Sequence, residues 1–173
     1  MDELVLRPVE AGDVGAVQEL IEADPGYAER VTGYPPGAAD AQSLLMMRPE
    51  GLPEQAKVVL GAFTAGRLLA VVDLLRGYPD ERTAFIGLLQ VRWNHQGLGH
   101  GRATYRLVEQ HVAAWPEIEK LRLAVVDTNA HIATKFWLRQ GFAATGEERA
   151  YRYDKLETTA RLYEKPLREQ GRS

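Results

Sequence analysis

Residues 91–102 read Val-Arg-Trp-Asn-His-Gln-Gly-Leu-Gly-His-Gly-Arg, with three glycines at alternate positions. An apolar run precedes this stretch and a helical pattern of apolar residues follows it, which predicts a strand, a glycine-rich loop and a helix start. Glycine permits backbone angles closed to other residues and lets a ligand approach the main chain. The first turn of a helix leaves amide N–H groups unpaired, and its dipole favours an anion. Together these features are typical of a phosphate cradle.

The common nucleotide-binding patterns do not match this stretch. The lysine-containing phosphate loop is missing from the sequence, and Arg102 stands where the dinucleotide pattern requires its third glycine. Glycines at a helix start also occur without any ligand. The stretch alone therefore leaves a phosphate site and a plain turn as alternatives.

The segments before residue 91 predict strands for the most part. Three β-like runs joined by short turns predict an antiparallel meander over residues 57–63, 67–75 and 83–91. Nearer the N-terminus, the patterns predict a strand at 4–9, a helix at 11–23, a loop at 24–39 and a short helix at 41–47.

The segments after residue 98 alternate helix and strand before two final strands. The patterns predict helices at 99–115 and 130–140 and strands at 121–126, 142–153 and 159–167. A strand–helix–strand crossover from 83–91 to 121–126 requires a parallel pair inside an otherwise antiparallel sheet. We therefore expect an α/β fold of the α+β type, with a mixed, mostly antiparallel sheet of about seven strands and helices on both faces.

Composition excludes several classes of function. The chain has 173 residues and a mass of 19.3 kDa, which predicts one domain over residues 1–173. It has no cysteine, so disulfides, thiolate catalysis and zinc–cysteine or iron–sulfur sites are excluded. A net charge of −3 gives no general attraction to nucleic acids or anionic membranes. With no signal-peptide pattern and no apolar run of membrane-spanning length, a cytoplasmic location is expected.

Two motifs resemble the GNAT superfamily of N-acetyltransferases. Gln96-x-x-Gly99-x-Gly101 is similar to its Q/R-x-x-G-x-G/A signature. Residues 136–142, Phe-Trp-Leu-Arg-Gln-Gly-Phe, resemble its second hallmark, an aromatic pair, three variable residues and Gly-Phe. The predicted element order also matches from residue 4 to residue 167.

The resemblance implies the GNAT-like acyl-CoA N-acyltransferase fold, acetyl-CoA as co-substrate and no metal. Backbone amides of residues 96–102 would hold the pyrophosphate, and the pantetheine arm would pair with the end of the strand at 83–91. That strand and the one at 121–126 would splay apart to admit the arm, and the N–H of Gln90 or Val91 would polarise the acetyl carbonyl. Asn129 would contact the cofactor or cap a helix. The cofactor-binding residues implied are Leu89, Gln90, Val91, Gln96, Gly97, Leu98, Gly99, His100, Gly101, Arg102, Asn129 and Trp137.

The sequence departs from the family pattern at two positions. Trp137 stands where the family often has a tyrosine that protonates the departing thiolate, and an indole cannot titrate there. Residues 83–91 carry no carboxylate, although many members have a glutamate base there. Asp73, the lone charge within an apolar strand, is our candidate base. The alternatives are that it faces solvent or pairs with Arg67 or Arg76.

The sequence predicts an N-acetyltransferase that moves acetyl directly to a primary amine of a small molecule or peptide. No nucleic acid or membrane partner is expected, and a homodimer stays open. The alternatives are a non-catalytic acyl-CoA-binding or sensing domain and a protein whose glycine loop binds ATP or NAD. Candidate acceptor contacts are Tyr27, Glu29, Tyr34, Tyr151 and Tyr153.

Overall fold

The computed structural model describes residues 2–168 and is built around one seven-stranded sheet. Its strands are β1 (Leu4–Pro8), β2 (Lys57–Thr64), β3 (Arg67–Arg76), β4 (Thr83–Val91), β5 (Lys120–Val126), β6 (Ala143–Tyr153) and β7 (Leu156–Pro166). Its α-helices are α1 (Val14–Glu22), α2 (Pro25–Thr32), α3 (Asp40–Met46), α4 (His100–Ala113) and α5 (Ala130–Arg139). None of the helices within residues 2–168 has the length and apolar character needed to cross a bilayer.

The strand order β1-β2-β3-β4-β5-β7-β6 confirms the predicted mixed sheet. All neighbours are antiparallel except β4 and β5, which run parallel and are joined through α4. Two parallel neighbours need a crossover connection. Helix α4 forms it, and the apolar stripe of this helix packs back onto the sheet. The end of β4 therefore leads directly into the start of α4.

Each face of the sheet has its own apolar core. On one face, α1 and α3 pack against Val59 and Val71. On the other, α4 and α5 pack against Val72 and Leu74. Because side chains alternate along a strand, Asp73 lies on the α1 and α3 face with Val71.

The prediction of a loop over residues 24–39 was wrong, because α2 lies within it. Pro25 occupies the first helical position, where a missing N–H costs nothing. Gly33 ends the helix with φ +80°, and its N–H donates to the Glu29 carbonyl at 2.9 Å. The same proline and glycine that suggested a loop therefore mark the two ends of a helix.

Candidate active site

A slot opens between β4 and β5. The two strands pair only over residues 83–86 and 120–123. Beyond these pairs, residues 88–91 of β4 hydrogen-bond with β3, and residues 124–126 of β5 pair with β7. In the described part of the chain, two unpartnered strand edges therefore border the slot, and such edges are templates for an added strand.

A β-bulge at Gly87 lies where the strands separate. Asp73 is paired with Leu88 and Leu74 with Ile86, so Gly87 is the extra residue. A bulge bends its strand and increases the local twist. A Cβ on Gly87 would lie 2.8 Å from Asp73 Oδ2, so a side chain at this position would displace the Asp73 carboxylate. That carboxylate therefore lies against the root of the slot.

The strand register decides which backbone groups of β4 face the slot. The Arg92 N–H donates to the Leu69 carbonyl at 2.8 Å, and hydrogen-bonding direction alternates along an antiparallel pair. The Gln90 backbone is therefore turned toward β3, while Leu89 and Val91 point their N–H and C=O groups toward the slot. Of the two alternatives for the carbonyl contact, this register favours Val91.

The glycine-rich loop forms an open cradle at the start of α4. Gly99 precedes the helix with φ +84°, and no side chain caps it. Within residues 2–168, no group accepts a hydrogen bond from the N–H of Gly97, Leu98 or Gly99. A Cβ on Gly97 or Gly99 would meet nothing within 4 Å. Free amides, a helix N-terminus and open space make this cradle suitable for an anion.

Gln96 and Gly101 position the cradle through their contacts with neighbouring elements. Gln96 Nε2 donates to both Asp24 Oδ2 and the Val91 carbonyl, each at 3.0 Å. A Cβ on Gly101 would lie 3.1 Å from the Phe136 ring. Gly101 therefore permits the close approach of α4 and α5, while the Gln96 side chain fastens the loop to the end of β4.

Asp73 is buried in an ion pair. Its side chain is 12% exposed, and Lys57 Nζ lies 2.7 Å from Oδ1. Desolvation raises the pKa of the Asp73 carboxyl, and the Lys57 ammonium opposes that rise. The expected arginine partners were wrong, since Lys57 lies diagonally across on β2, on the same face, and Arg76 instead pairs with Glu117.

The family model described as the acetyltransferase (GNAT) family matches residues 19–142. That span contains β4, the cradle, α4, β5 and α5. This chain belongs to the GNAT family.

Solved structures of acetyltransferases share the fold over nearly the whole chain. An acetyltransferase from Thermus thermophilus has 25% identity and a TM-score of 0.69, covering 96% of this chain and 99% of its own. The spermidine N-acetyltransferase from Vibrio cholerae, solved with CoA and spermine, has 18% identity and a TM-score of 0.73, covering 95% of each chain. The ribosomal-protein-S18-alanine N-acetyltransferase from Escherichia coli has 17% identity and a TM-score of 0.69, covering 99% of this chain and 98% of its own. A comparison with curated proteins gave no match.

Membership confirms the expected enzyme class, an acyltransferase, and the GNAT family uses acyl-CoA. The residues of this GNAT chain fit such a group. The open amides of the cradle suit its phosphates, and the slot-facing edge of β4 offers hydrogen bonds to an extended arm.

Asn129 is held by another side chain of this GNAT domain. It precedes α5 but makes no side-chain capping bond. Its Oδ1 accepts a hydrogen bond from Arg30 Nε at 2.7 Å. Asn129 therefore occupies the predicted N-cap position, but its side chain makes no capping bond. The contact with the cofactor stays a prediction for a side chain that Arg30 already holds.

Trp137 belongs to the core more than to the slot. It is 8% exposed, and its ring packs edge-on against Tyr105, Phe136 and Phe142. Its neighbour Phe136 is half-buried and lies against Gly101 near the end of β4. The sequence motif contains both aromatic residues, but only Trp137 was predicted to be a site residue. Successive side chains of a helix point in directions about 100° apart, and it is Phe136 that lies against Gly101 at the start of α4.

The predicted acceptor-side tyrosines cluster around α2. The Tyr151 hydroxyl donates to the Val31 carbonyl at 2.6 Å, and the Tyr34 hydroxyl bonds to Asp154 in the β6–β7 turn. Burial raises the pKa of Tyr27 to about 12, and the charges of Arg30 and Asp73 also act on it. Tyr153 and Glu29 are exposed. The structure therefore ties Tyr151 to the end of α2 that carries Val31, and Tyr34 to the β6–β7 turn.

Proposed function

We propose that this chain is a single N-acetyltransferase domain that moves acetyl from acetyl-CoA to a primary amine by direct transfer. The observation that carries the proposal is the divergence of β4 and β5 at Gly87, above which two free strand edges lead to an uncapped helix N-terminus. An extended arm ending in a phosphate group matches that shape and hydrogen-bonding pattern.

The chain's own residues would divide the work. Amides of the cradle would bind the pyrophosphate, and the Val91 backbone would pair with the pantetheine arm. The N–H of Val91 would donate to the acetyl carbonyl, where negative charge develops during transfer. Bound acetyl-CoA would supply the thioester whose carbonyl carbon the amine attacks, with CoA leaving as the thiol.

Asp73 would take the proton of the incoming ammonium, because it is the buried carboxylate at the root of the slot. The raised pKa of the Asp73 carboxyl makes its carboxylate a stronger base than an ordinary one. Lys57 would hold the carboxylate in place.

A second candidate is an acyl-CoA-binding domain without catalysis. Two observations favour it: Trp137 is packed in the core, and Asp73 already has a counter-ion in Lys57. Both descriptions require acyl-CoA binding and differ only in turnover.

The test is incubation of the purified protein with acetyl-CoA and a panel of primary amines. We expect release of free CoA thiol that depends on the amine, together with a product heavier by one acetyl group. Tight acetyl-CoA binding without turnover of any amine would favour the binding domain. Binding of ATP or NAD in preference to acetyl-CoA would contradict both candidates.

A further inference from the structure

Helix α2 crosses the mouth of the slot. At its start, the Asp24 carboxylate accepts a hydrogen bond from the Gln96 side-chain amide, which also donates to the Val91 carbonyl at the end of β4. At its other end, Arg30 donates to Asn129, and the Thr128 hydroxyl donates to the Arg30 carbonyl. Because Thr128 and Asn129 follow β5, α2 bridges the two strands where they are furthest from their pairing.

Arg30 brings a positive charge to this bridge. Its Nε bonds to a neutral amide, and no carboxylate of residues 2–168 lies within 4.0 Å of its guanidinium. Asp24 is nearby, because both side chains lie close to Gly26. A Cβ built on Gly26 would lie 3.6 Å from Asp24 Oδ1 and 2.9 Å from Arg30 Nη1. However, Asp24 accepts the Gln96 amide. A half-buried arginine without a close counter-ion is a candidate carboxylate site, because its planar fork matches that group.

A second observation also indicates a missing hydrogen-bond acceptor. Gln90 is 5% exposed, and its Nε2 has no hydrogen-bond partner in the described chain. It lies opposite Val71 in the register, so it shares the sheet face of Asp73, next to the end of β4 where α2 is anchored. A buried amide donor without an acceptor is costly, and a ligand oxygen would relieve that cost.

The charged groups near the slot leave the Arg30 guanidinium without a close ion pair. Lys57 and Asp73 pair with each other at the root of the slot, and the nearby Asp24 carboxylate accepts a hydrogen bond from the Gln96 amide instead of pairing with Arg30. A ligand carboxylate would give the Arg30 guanidinium the close ion pair that it lacks, and a ligand with only positive charge would not.

We propose that the acceptor is a primary amine that also carries a carboxylate, as amino acids do, and that Arg30 binds this carboxylate. Gln90 is a further donor to it. The amino group of the same molecule then lies on the Asp73 side of the slot. This inference rests on the proposed acetyl transfer.

The experiment compares two kinds of matched pair at saturating acetyl-CoA: an amino acid with its decarboxylated amine, and the same amino acid with its neutral amide. We expect kcat/KM for the amino acid to exceed both partners by at least about tenfold, as a charge-assisted bidentate contact allows. Arg30→Gln should reduce that preference by at least about tenfold, and Arg30→Lys should keep part of it because the charge remains. Arg139→Gln, at an exposed position of α5, is the matched control and should keep the wild-type preference.

Circular dichroism and acetyl-CoA affinity of the Arg30 variants exclude misfolding, and a merely structural role for Arg30 would change both members of a pair equally. The inference would be overturned if the enzyme acetylates amines with no preference for those that carry a carboxylate, or if that preference survives in Arg30→Gln. Either result would leave the proposed function standing. Turnover of no amine in any pair would overturn the proposed function and this inference with it.

Discussion

Lys57 Nζ lies 2.7 Å from Asp73 Oδ1, and the two side chains are only 6% and 12% exposed. The pair joins β2 and β3 directly beneath the bulge at which β4 leaves β5. A buried ion pair of this kind is weak evidence for stability, because desolvation offsets much of the attraction. Its position at the root of the slot fits the proposed role of Asp73 as the base.

The first prediction concerns the pH dependence of the transfer. Desolvation raises the Asp73 pKa and Lys57 lowers it, so the base is active only above a pKa higher than that of an ordinary carboxyl. Activity should therefore fall on the acidic side as Asp73 becomes protonated. Lys57→Met should raise the Asp73 pKa further and move this acidic limb to higher pH. Asp73→Asn should remove the limb and lower turnover by about 10²-fold or more.

Measurement of kcat/KM against pH for the three proteins checks this. Breaking a buried pair costs about 3–5 kcal/mol, so folding of each variant is first verified by thermal melting. A limb that keeps its position in folded Lys57→Met, or survives in folded Asp73→Asn, would show that Asp73 is not the base.

The second prediction concerns the Gln96 bridge. Gln96→Ala should release the loop from both Asp24 and the Val91 carbonyl, leaving the Asp24 carboxylate, 7% exposed, without this donor. The expected cost is about 1–3 kcal/mol of unfolding free energy. Weaker acetyl-CoA binding should accompany it, because the amides of the cradle lose their alignment. Gln110→Ala, at an exposed position of α4, is the control for both denaturation and calorimetry. Equal behaviour of the two variants would contradict the bridging role.

The third prediction separates the two aromatic residues of α5. Trp137→Ala should destabilise the fold by about 3–5 kcal/mol, because it removes a core ring with three aromatic neighbours. Trp137→Phe should keep most of the turnover, since the indole has no titrating role. Phe136→Ala should mainly raise the KM for acetyl-CoA by opening the space beside Gly101. Steady-state kinetics and melting curves on all three variants check this division. Near-total loss of turnover in a folded Trp137→Phe would mean that the indole N–H takes part in the chemistry.

Local sequence signals predicted the sheet and the cradle well. The meander, the crossover and the helix that starts after Gly99 depend on apolar periodicity and glycine placement, which act over a few residues. The lone glycine at position 87 inside a strand pattern was an available signal for a bulge. Its meaning depended on Asp73 of the neighbouring strand, which the register alone reveals.

The partners of the site residues could not be read from the sequence. Arg30 and Asn129 are 99 positions apart, and no local pattern pairs them. Lys57 meets Asp73 only because the β2–β3 hairpin places them diagonally on one face. Helix α2 was missed because Pro25 and Gly33 signal a break whether they interrupt a loop or mark the ends of a helix.

The central claim is that the Gly97–Gly99 loop and the start of α4 bind the phosphates of acetyl-CoA. It is tested most directly by calorimetric titration of acetyl-CoA into the wild-type protein, Gly99→Glu and Gly51→Glu. The two glycines are matched, since both have a positive φ, +84° and +83°, and a Cβ on either would meet nothing within 4 Å. Backbone strain is therefore common to both variants, and only Gly99→Glu places an anion in the cradle. We predict saturable binding to wild type and Gly51→Glu and no measurable binding to folded Gly99→Glu. Wild-type affinity in folded Gly99→Glu would contradict the assignment of the cradle.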